Sequence, residues 1–268
     1  MYTLESLFSM SGRSIIVCGG SSGLGREIAL ALADLGAQVA IVGRSPKKVE
    51  KVLGELREKR PDCLGFAADV TDEASLREAY AKINEGFGKI DGLVNTAGIN
   101  IIKPLEEITM EEFDKVIDTN FRGIVVSCKV AGEYLLKNDF AAVVNISSQS
   151  TRRGKSNYTA YAASKAAIDG FTRALAVEWT KQGVNVNSIA PGLIITDINR
   201  ADYEKYPQSL AERVSTIPHG RAGETSDLIA PVVALLSESC SHVVGHTLFI
   251  DGGITIGDTF VLRKPPKE

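Results

Sequence analysis

Seven short apolar runs, rich in β-branched residues, recur along the chain: SIIVCG (14–19), QVAIVG (38–43), CLGFAA (63–68), DGLVNTA (91–97), AAVVNIS (141–147), VNVNSIA (184–190) and HTLFID (246–251). Between them lie longer stretches of helical period: GREIALALADLG, SPKKVEKVLGELREK, DEASLREAYAKINEGFG, a stretch from about Thr109 to Lys137, YAASKAAIDGFTRALAVEWTKQG and TSDLIAPVVALLSE. A strand that is apolar on both faces must be covered on both, and strands alternating with helices give a parallel sheet. Each crossover should be right-handed. The pattern predicts one doubly wound α/β domain over 1–268, with about seven parallel strands flanked by helices. Residues 192–224 show no strand pattern. A connection that long usually carries function, so it is expected to form a substrate loop or lid.

Composition narrows the classes. The chain has 268 residues, 44% hydrophobic and 24% charged, which fits a folded globular protein. Its net charge of −3 gives no reason to expect nucleic acid or an anionic membrane as partner. The opening MYTLESLFSMSGR lacks a basic region followed by an apolar run, so no signal peptide is expected. No apolar stretch is long enough to span a bilayer. The four cysteines form no Cys-x-x-Cys pair, as expected of buried, reduced thiols in a cytoplasmic protein. The three histidines make no His-Glu-x-x-His, and no metal site is expected.

In such sheets ligands bind beyond the carboxyl ends of the strands. After the first run comes GGSSGLG, with Gly19, Gly23 and Gly25 where a strand must turn into a helix. Glycine lets the backbone approach a pyrophosphate, and the helix start favours the anion. The spacing is G-x-x-x-G-x-G; the third glycine of the commoner G-x-G-x-x-G would fall on Ile28. This spacing resembles the Thr-Gly-x-x-x-Gly-x-Gly of the short-chain dehydrogenase/reductase family, with Cys18 in place of the threonine. The resemblance runs through nearly the whole chain and implies a Rossmann dinucleotide fold. It implies that Gly19, Ser21, Ser22, Gly23, Leu24 and Gly25 lie along the nucleotide. NTAG, with Asn95, Ala97 and Gly98, is similar to the family segment that supports the sheet and receives the ribose. Asp69 and Val70 would contact adenine. Locally, Thr71 also reads as a helix N-cap, with Asp72 and Glu73 in the first turn. Pro191, Ile194 and Thr196 would hold the nicotinamide amide, and DGG (251–253) resembles the usual end of the family domain.

NYTAYAASK (157–165) places Lys165 four residues after Tyr161, on one helical face, whereas Tyr158 plus four is Ala162. A phenol titrates near pH ~10, and a nearby ammonium lowers that value, so Tyr161 is the candidate acid or base. In the family the catalytic serine precedes the tyrosine by thirteen residues, which gives Ser148. Ser147, alternating along the strand, should point elsewhere. DTNFRG resembles the segment carrying a fourth residue, Asn120, which helps hold a water next to the lysine. The resemblance then implies proton transfer by Tyr161, substrate fixation by Ser148, and binding of the nicotinamide ribose by Tyr161 and Lys165.

The end of the second strand chooses the cofactor in this fold. The family's acid is Gly43 here, and Arg44 follows, suited to a 2′-phosphate, so NADP is expected over NAD. Ser45, Ser21 and Ser22 could add neutral hydrogen bonds. Arg152, Arg153 and Lys155 lie close to the expected substrate mouth, and Arg152 and Arg153 would favour an anionic small molecule. ALAVEW and LIITDINR look similar to members acting on sugar acids and polyols, such as gluconate dehydrogenases. Acyl-carrier 3-oxoacyl reductases share much of the scaffold. A nucleotide-binding regulator without chemistry is the alternative of another class. The family habit implies a homotetramer.

Overall fold

The computed structural model describes residues 3–196 and 199–257. Seven strands form the main sheet: β1 (Ser14–Cys18), β2 (Gln38–Gly43), β3 (Leu64–Ala67), β4 (Gly92–Asn95), β5 (Ala141–Ile146), β6 (Val184–Pro191) and β9 (Thr247–Ile250). Their order is β3-β2-β1-β4-β5-β6-β9, and every pair is parallel. Two short strands, β7 (Ile194–Ile195) and β8 (Gly223–Glu224), pair separately. The α-helices are α1 (Leu4–Phe8), α2 (Gly23–Asp34), α3 (Pro46–Lys59), α4 (Glu73–Phe87), α5 (Met110–Ile117), α6 (Gly123–Leu135), α7 (Thr159–Trp179), α8 (Arg200–Lys205), α9 (Pro207–Val214) and α10 (Ile229–Leu236).

Strand alternation sorts the core into two layers. In β1, Ile15 and Val17 join the side chains packed under α2, α3 and α10, while Ile16 and Cys18 join those under α4, α6 and α7. Helices cover both faces of the central strands, which is why those strands read as continuous apolar runs, while the edge strands β3 and β9 stay partly exposed.

Local chemistry fixes the helix ends. Ser45 caps α3, accepting from Lys48 N at 3.4 Å, with Pro46 at the first helical position. Asp72, not Thr71, caps α4, accepting from Ala74 N and Ser75 N. Thr71 is occupied one turn earlier, where its N–H and hydroxyl both donate to Asp69 Oδ1 at 2.9 and 2.8 Å.

Two expectations change. The helical stretch 109–137 is not one helix: a π-turn over Asp118–Arg122 separates α5 from α6. The stretch 192–224 is more ordered than its sequence suggests, holding α8, α9 and the β7–β8 pair. Its residues 197 and 198 lie outside the described residues, as do 1–2 and 258–268 of the expected 1–268 domain.

Candidate active site

The turn after β1 opens a cleft of about 370 Å³ along the carboxyl end of the sheet. Gly19, Ser21, Ser22, Gly23, Leu24 and Gly25 line it from α2 and the turn before it. Gly19 and Gly23 have φ of +91° and +52°, which side chains resist. A Cβ on Gly25 would stand 2.4 Å from Gly19 O and from Thr96 Oγ1. The backbone is thus held as a bare cradle at a helix N-terminus, and these residues fit a dinucleotide pyrophosphate. Cys18 does not take part: its side chain is buried in the α4/α6/α7 layer, and burial pushes its thiol up. That is why the threonine-to-cysteine difference leaves the cradle intact. Gly25→Ala should weaken NADPH binding by about tenfold or more with the secondary structure kept. Fluorescence titration with NADPH, alongside far-UV circular dichroism, checks both.

At the end of β2, Gly43 and Arg44 line the same cleft. A Cβ on Gly43 would meet Ser21 Oγ at 2.4 Å, so Ser21 fills the space an acidic side chain would need. Arg44 is exposed at the rim. Asp69 and Val70 also line the cleft, and the hydrogen bonds from Thr71 hold the Asp69 carboxyl below its ordinary range. Ala97, Gly98 and Thr196 complete the expected contacts.

Four expected cofactor contacts are placed differently. Ser45 is used as the α3 cap. Pro191 and Ile194 are buried, and of their segment only Thr196 faces the cleft among the described residues. Asn95 points beneath the sheet: its Oδ1 accepts from Ser127 Oγ at 2.6 Å, and its Nδ2 donates to Asn145 Oδ1 at 2.9 Å. Strand alternation decides this, since Asn95 shares the face of Leu93, not of Val94.

Asn95 belongs to a buried polar chain that the sequence reading missed. Tyr80 OH pairs with Ser127 Oγ at 2.7 Å, and Asn145 Nδ2 donates to Thr172 Oγ1 at 3.0 Å. The Asn145–Thr172 bond ties α7 to β5 one residue before Ile146. Burial of such groups demands complete pairing, so the chain fixes the register of the catalytic helix on the sheet. Asparagines inside the otherwise apolar runs of β4 and β5 were the only signal available.

Tyr161 stands in the first turn of α7. Burial pushes its phenol above the ordinary range; the Ser148 hydroxyl draws it down and Tyr158 adds to the rise. Ser148 Oγ also accepts from Ser150 N at 3.1 Å. Ser147 faces the other way, donating to Lys165 O at 3.4 Å, as alternation requires. Lys165 is buried, and Nζ donates to Ile146 O at 2.7 Å. Burial draws its pKa down to about 8, against the charge of Asp169. Lys165 Nζ stands over the Tyr161 ring, 5.7 Å from its centroid, which brings the ammonium within electrostatic reach of the phenol.

Asn120 sits at the centre of the π-turn and is fully buried. Its Oδ1 accepts from Ile99 N at 2.7 Å, while Nδ2 donates to Ile99 O at 2.9 Å and Ser164 Oγ at 3.0 Å. It clamps the cleft wall to the catalytic helix. A Cβ at Gly98 would be 3.3 Å from Asn120 Oδ1 and 3.6 Å from Lys165 Nζ, so Asn120 and Lys165 converge on the cleft. π-turns recur at functional sites, and this one is invisible to a search for 3.6-residue periodicity.

On the substrate side, Arg153 and Lys155 line a second cavity with Ser150. Arg152 does not. Its guanidinium stacks on Phe249 at 4.1 Å and lines a different cavity with Asp169 and His246. The short helical turn Gln149–Thr151 sends adjacent arginines in different directions.

The chain is similar to known proteins along nearly its whole length. A family model described as enoyl-(acyl carrier protein) reductase matches residues 19–255. D-threitol dehydrogenase of Mycolicibacterium smegmatis is 33% identical over 249 residues, covering 93% of this chain and 95% of that protein. The chain belongs to the short-chain dehydrogenase/reductase family. It is therefore an oxidoreductase acting on alcohol and carbonyl groups. The 3-oxoacyl-[acyl-carrier-protein] reductase of Staphylococcus aureus is 32% identical over 243 residues, covering 90% of this chain and 98% of that one. A Beutenbergia cavernae crystal structure, described as a candidate NAD(P)-dependent gluconate 5-dehydrogenase with bound NADP at low occupancy, is 35% identical. It has a TM-score of 0.85 and covers 92% of this chain and 98% of that one. Gly98, on the wall of the cleft, stands beside Asn120 Oδ1 and Lys165 Nζ, and Lys165 Nζ lies 5.7 Å from the Tyr161 ring centroid. Among the described residues no helix is long and apolar enough to cross a membrane, and no cluster of His, Cys, Asp or Glu could hold a metal ion.

Proposed function

We propose that this short-chain dehydrogenase/reductase uses NADP(H) to interconvert a ketone and a secondary alcohol on a sugar acid, polyol or keto acid. The observation that carries the reading is the Tyr161 phenol set between the Ser148 hydroxyl, which draws its pKa down, and the buried Lys165 ammonium, 5.7 Å from its ring centroid. Bound NADP(H) would supply hydride chemistry. Tyr161, protonated at neutral pH as phenols ordinarily are and held so by burial, gives its proton to the carbonyl oxygen in reduction. Ser148 fixes that oxygen by hydrogen bonding. Lys165 binds the ribose and places positive charge near the oxygen, and Asn120 holds the wall against which both work. In oxidation Tyr161 takes the proton back.

NADP over NAD rests on Gly43 and Arg44. Ser21 occupies the space an acid would need, and the Arg44 guanidinium stands at the rim with donors suited to a phosphate. Arg44→Ala should raise KM for NADPH on the order of 10–100-fold and for NADH little. Equal changes, or a parent preference for NADH, would overturn the reading. Steady-state kinetics with both nucleotides decides it.

The catalytic domain is taken as 1–268 with residues 192–224 as its substrate loop, in a cytoplasmic homotetramer. Exposed Val177 on α7 and Leu248 on β9 offer apolar surface for assembly. Reduction of a 3-oxoacyl thioester on an acyl carrier is the second reading, favoured by the Staphylococcus aureus relative. NADPH consumption against a panel of ketones, keto acids and 3-oxoacyl thioesters separates the two. Turnover of none would favour a nucleotide-binding regulator.

A further inference from the structure

The cavity beside Ser148 holds about 260 Å³. Ser150, which lines it, is hydrogen-bonded to Ser148, so the cavity lies one residue contact from the proposed catalytic hydroxyl. Arg153 and Lys155 enter it from the segment before α7, and Arg213 enters from α9. Glu212 is the one acid on its wall among the described residues. None of the three cations is paired with a carboxylate among the described residues. Arg153 donates to Thr216 Oγ1 at 3.4 Å, Lys155 to Tyr158 OH at 2.9 Å, and Arg213 to Tyr203 OH. By contrast, two arginines of the 192–224 stretch are neutralised: Arg221 pairs with Asp227 and Arg200 with Glu224. Three uncompensated cations converging on one small cavity leave it short of an anion.

A second observation concerns hydroxyl groups. Gln149 lines the cavity, and its Oε1 is buried without a hydrogen-bond partner. An unpaired buried acceptor is costly, and a ligand hydroxyl would relieve it. Leu193 and Ile254 supply apolar wall, and the volume suits a small molecule rather than an extended acyl chain.

We infer that this cavity is the substrate's acid subsite, in which Arg153 and Arg213 hold the carboxylate of a short polyhydroxy acid while Gln149 accepts from one of its hydroxyls. The inference rests on the oxidoreductase reading above and specifies its substrate class. Arg213, which no sequence motif marks, becomes a specificity residue carried on a helix of the substrate loop.

The test is calorimetric titration of the full chain saturated with NADPH, which cannot react with an alcohol. The probes are D-gluconate and D-glucitol, which carries CH2OH in place of the carboxylate. D-gluconate should bind about tenfold tighter or better, and Arg213→Gln or Arg153→Gln should each remove about tenfold of that affinity while leaving D-glucitol unchanged. Arg213→Lys should keep much of the preference, and Arg152→Gln, outside the cavity, all of it. Equal affinity for the two probes, no binding of D-gluconate, or loss of both probes together in Arg213→Gln with Arg213→Lys unaltered would overturn the inference. Turnover is scored separately. If D-gluconate binds as stated but no alcohol or ketone is ever turned over, the subsite stands and the oxidoreductase reading falls. If neutral ketones turn over without any preference for acids, the reverse holds.

Discussion

Tyr161→Phe should lower kcat by about 10²–10⁴-fold while leaving the NADPH dissociation constant within a few-fold of the parent value. Phenylalanine keeps the ring and its edge-on packing against Tyr158, whose centroid is 6.0 Å away, and removes only the hydroxyl. That hydroxyl is the one whose pKa the Ser148 hydroxyl draws down. Tyr158→Phe removes a hydroxyl that accepts from Lys155 at 2.9 Å, on the outer side of the helix start, and should remain active. Stopped-flow turnover together with nucleotide titration separates loss of proton transfer from loss of binding. An active Tyr161→Phe beside an inactive Tyr158→Phe would reverse the assignment. The raised Tyr161 pKa also sets a direction with pH. Reduction uses the protonated phenol, already present at neutral pH; oxidation needs the deprotonated form and should quicken as pH rises.

Lys165→Met should move activity and stability in opposite directions. Turnover should fall by about 10²-fold or more, since the variant lacks the charge beside the reacting oxygen and the ribose contact. Stability at pH 7 should rise. The folded-state pKa of Lys165 is about 8, below its ordinary value, because burial penalises the ammonium. Below pH 8 both folded and unfolded chains carry the proton, and the folded state bears the whole cost. Between pH 8 and the unfolded value near ~10.4, the unfolded chain holds the proton and the folded chain does not, so stability rises with pH. Above that window the cost is gone. Methionine of similar length removes the cost but leaves Ile146 O without its partner. The net gain at pH 7 should be about 1–2 kcal/mol, shrinking to nothing or reversing by pH 10. Urea unfolding of parent and variant at both pH values, at one protein concentration, checks sign and window. A variant less stable than the parent at pH 7 would show that the Ile146 bond outweighs desolvation. A stabilising, inactivating change at one residue is the mark of a group held in place for function.

The Asn120 clamp shows why part of the site could be read early and part could not. That Asn120 matters was legible from the run DTNFRG. How it acts was not, because the π-turn that centres it comes from contacts with Ile99 and Ser164, far along the chain. Tyr161 and Lys165 were legible together because four residues on a helix are one turn, a purely local relation. Ser148 was legible because alternation along β5 separates it from Ser147. The hydrogen bond of Lys165 was not legible, because proximity along a helix says nothing about where a flexible ammonium finds its acceptor, and the carbonyl of Ile146 lies on a neighbouring strand.

By itself the sequence determined the doubly wound sheet, since strands apolar on both faces alternating with amphipathic helices have one economical packing. It also determined the glycine cradle and the order of the catalytic residues, which depend on spacing within a single turn or strand. Only the tertiary structure decided which way each polar side chain faces once its segment is docked. It turned Asn95 under the sheet, spent Ser45 on a helix cap, and sent Arg152 to Phe249 while leaving Arg153 in a cavity with Ser150. It also brought Arg213 from α9 across to Arg153, sixty residues away in sequence. These placements depend on long-range packing and on pairing every buried polar group, and neither leaves a period in the sequence.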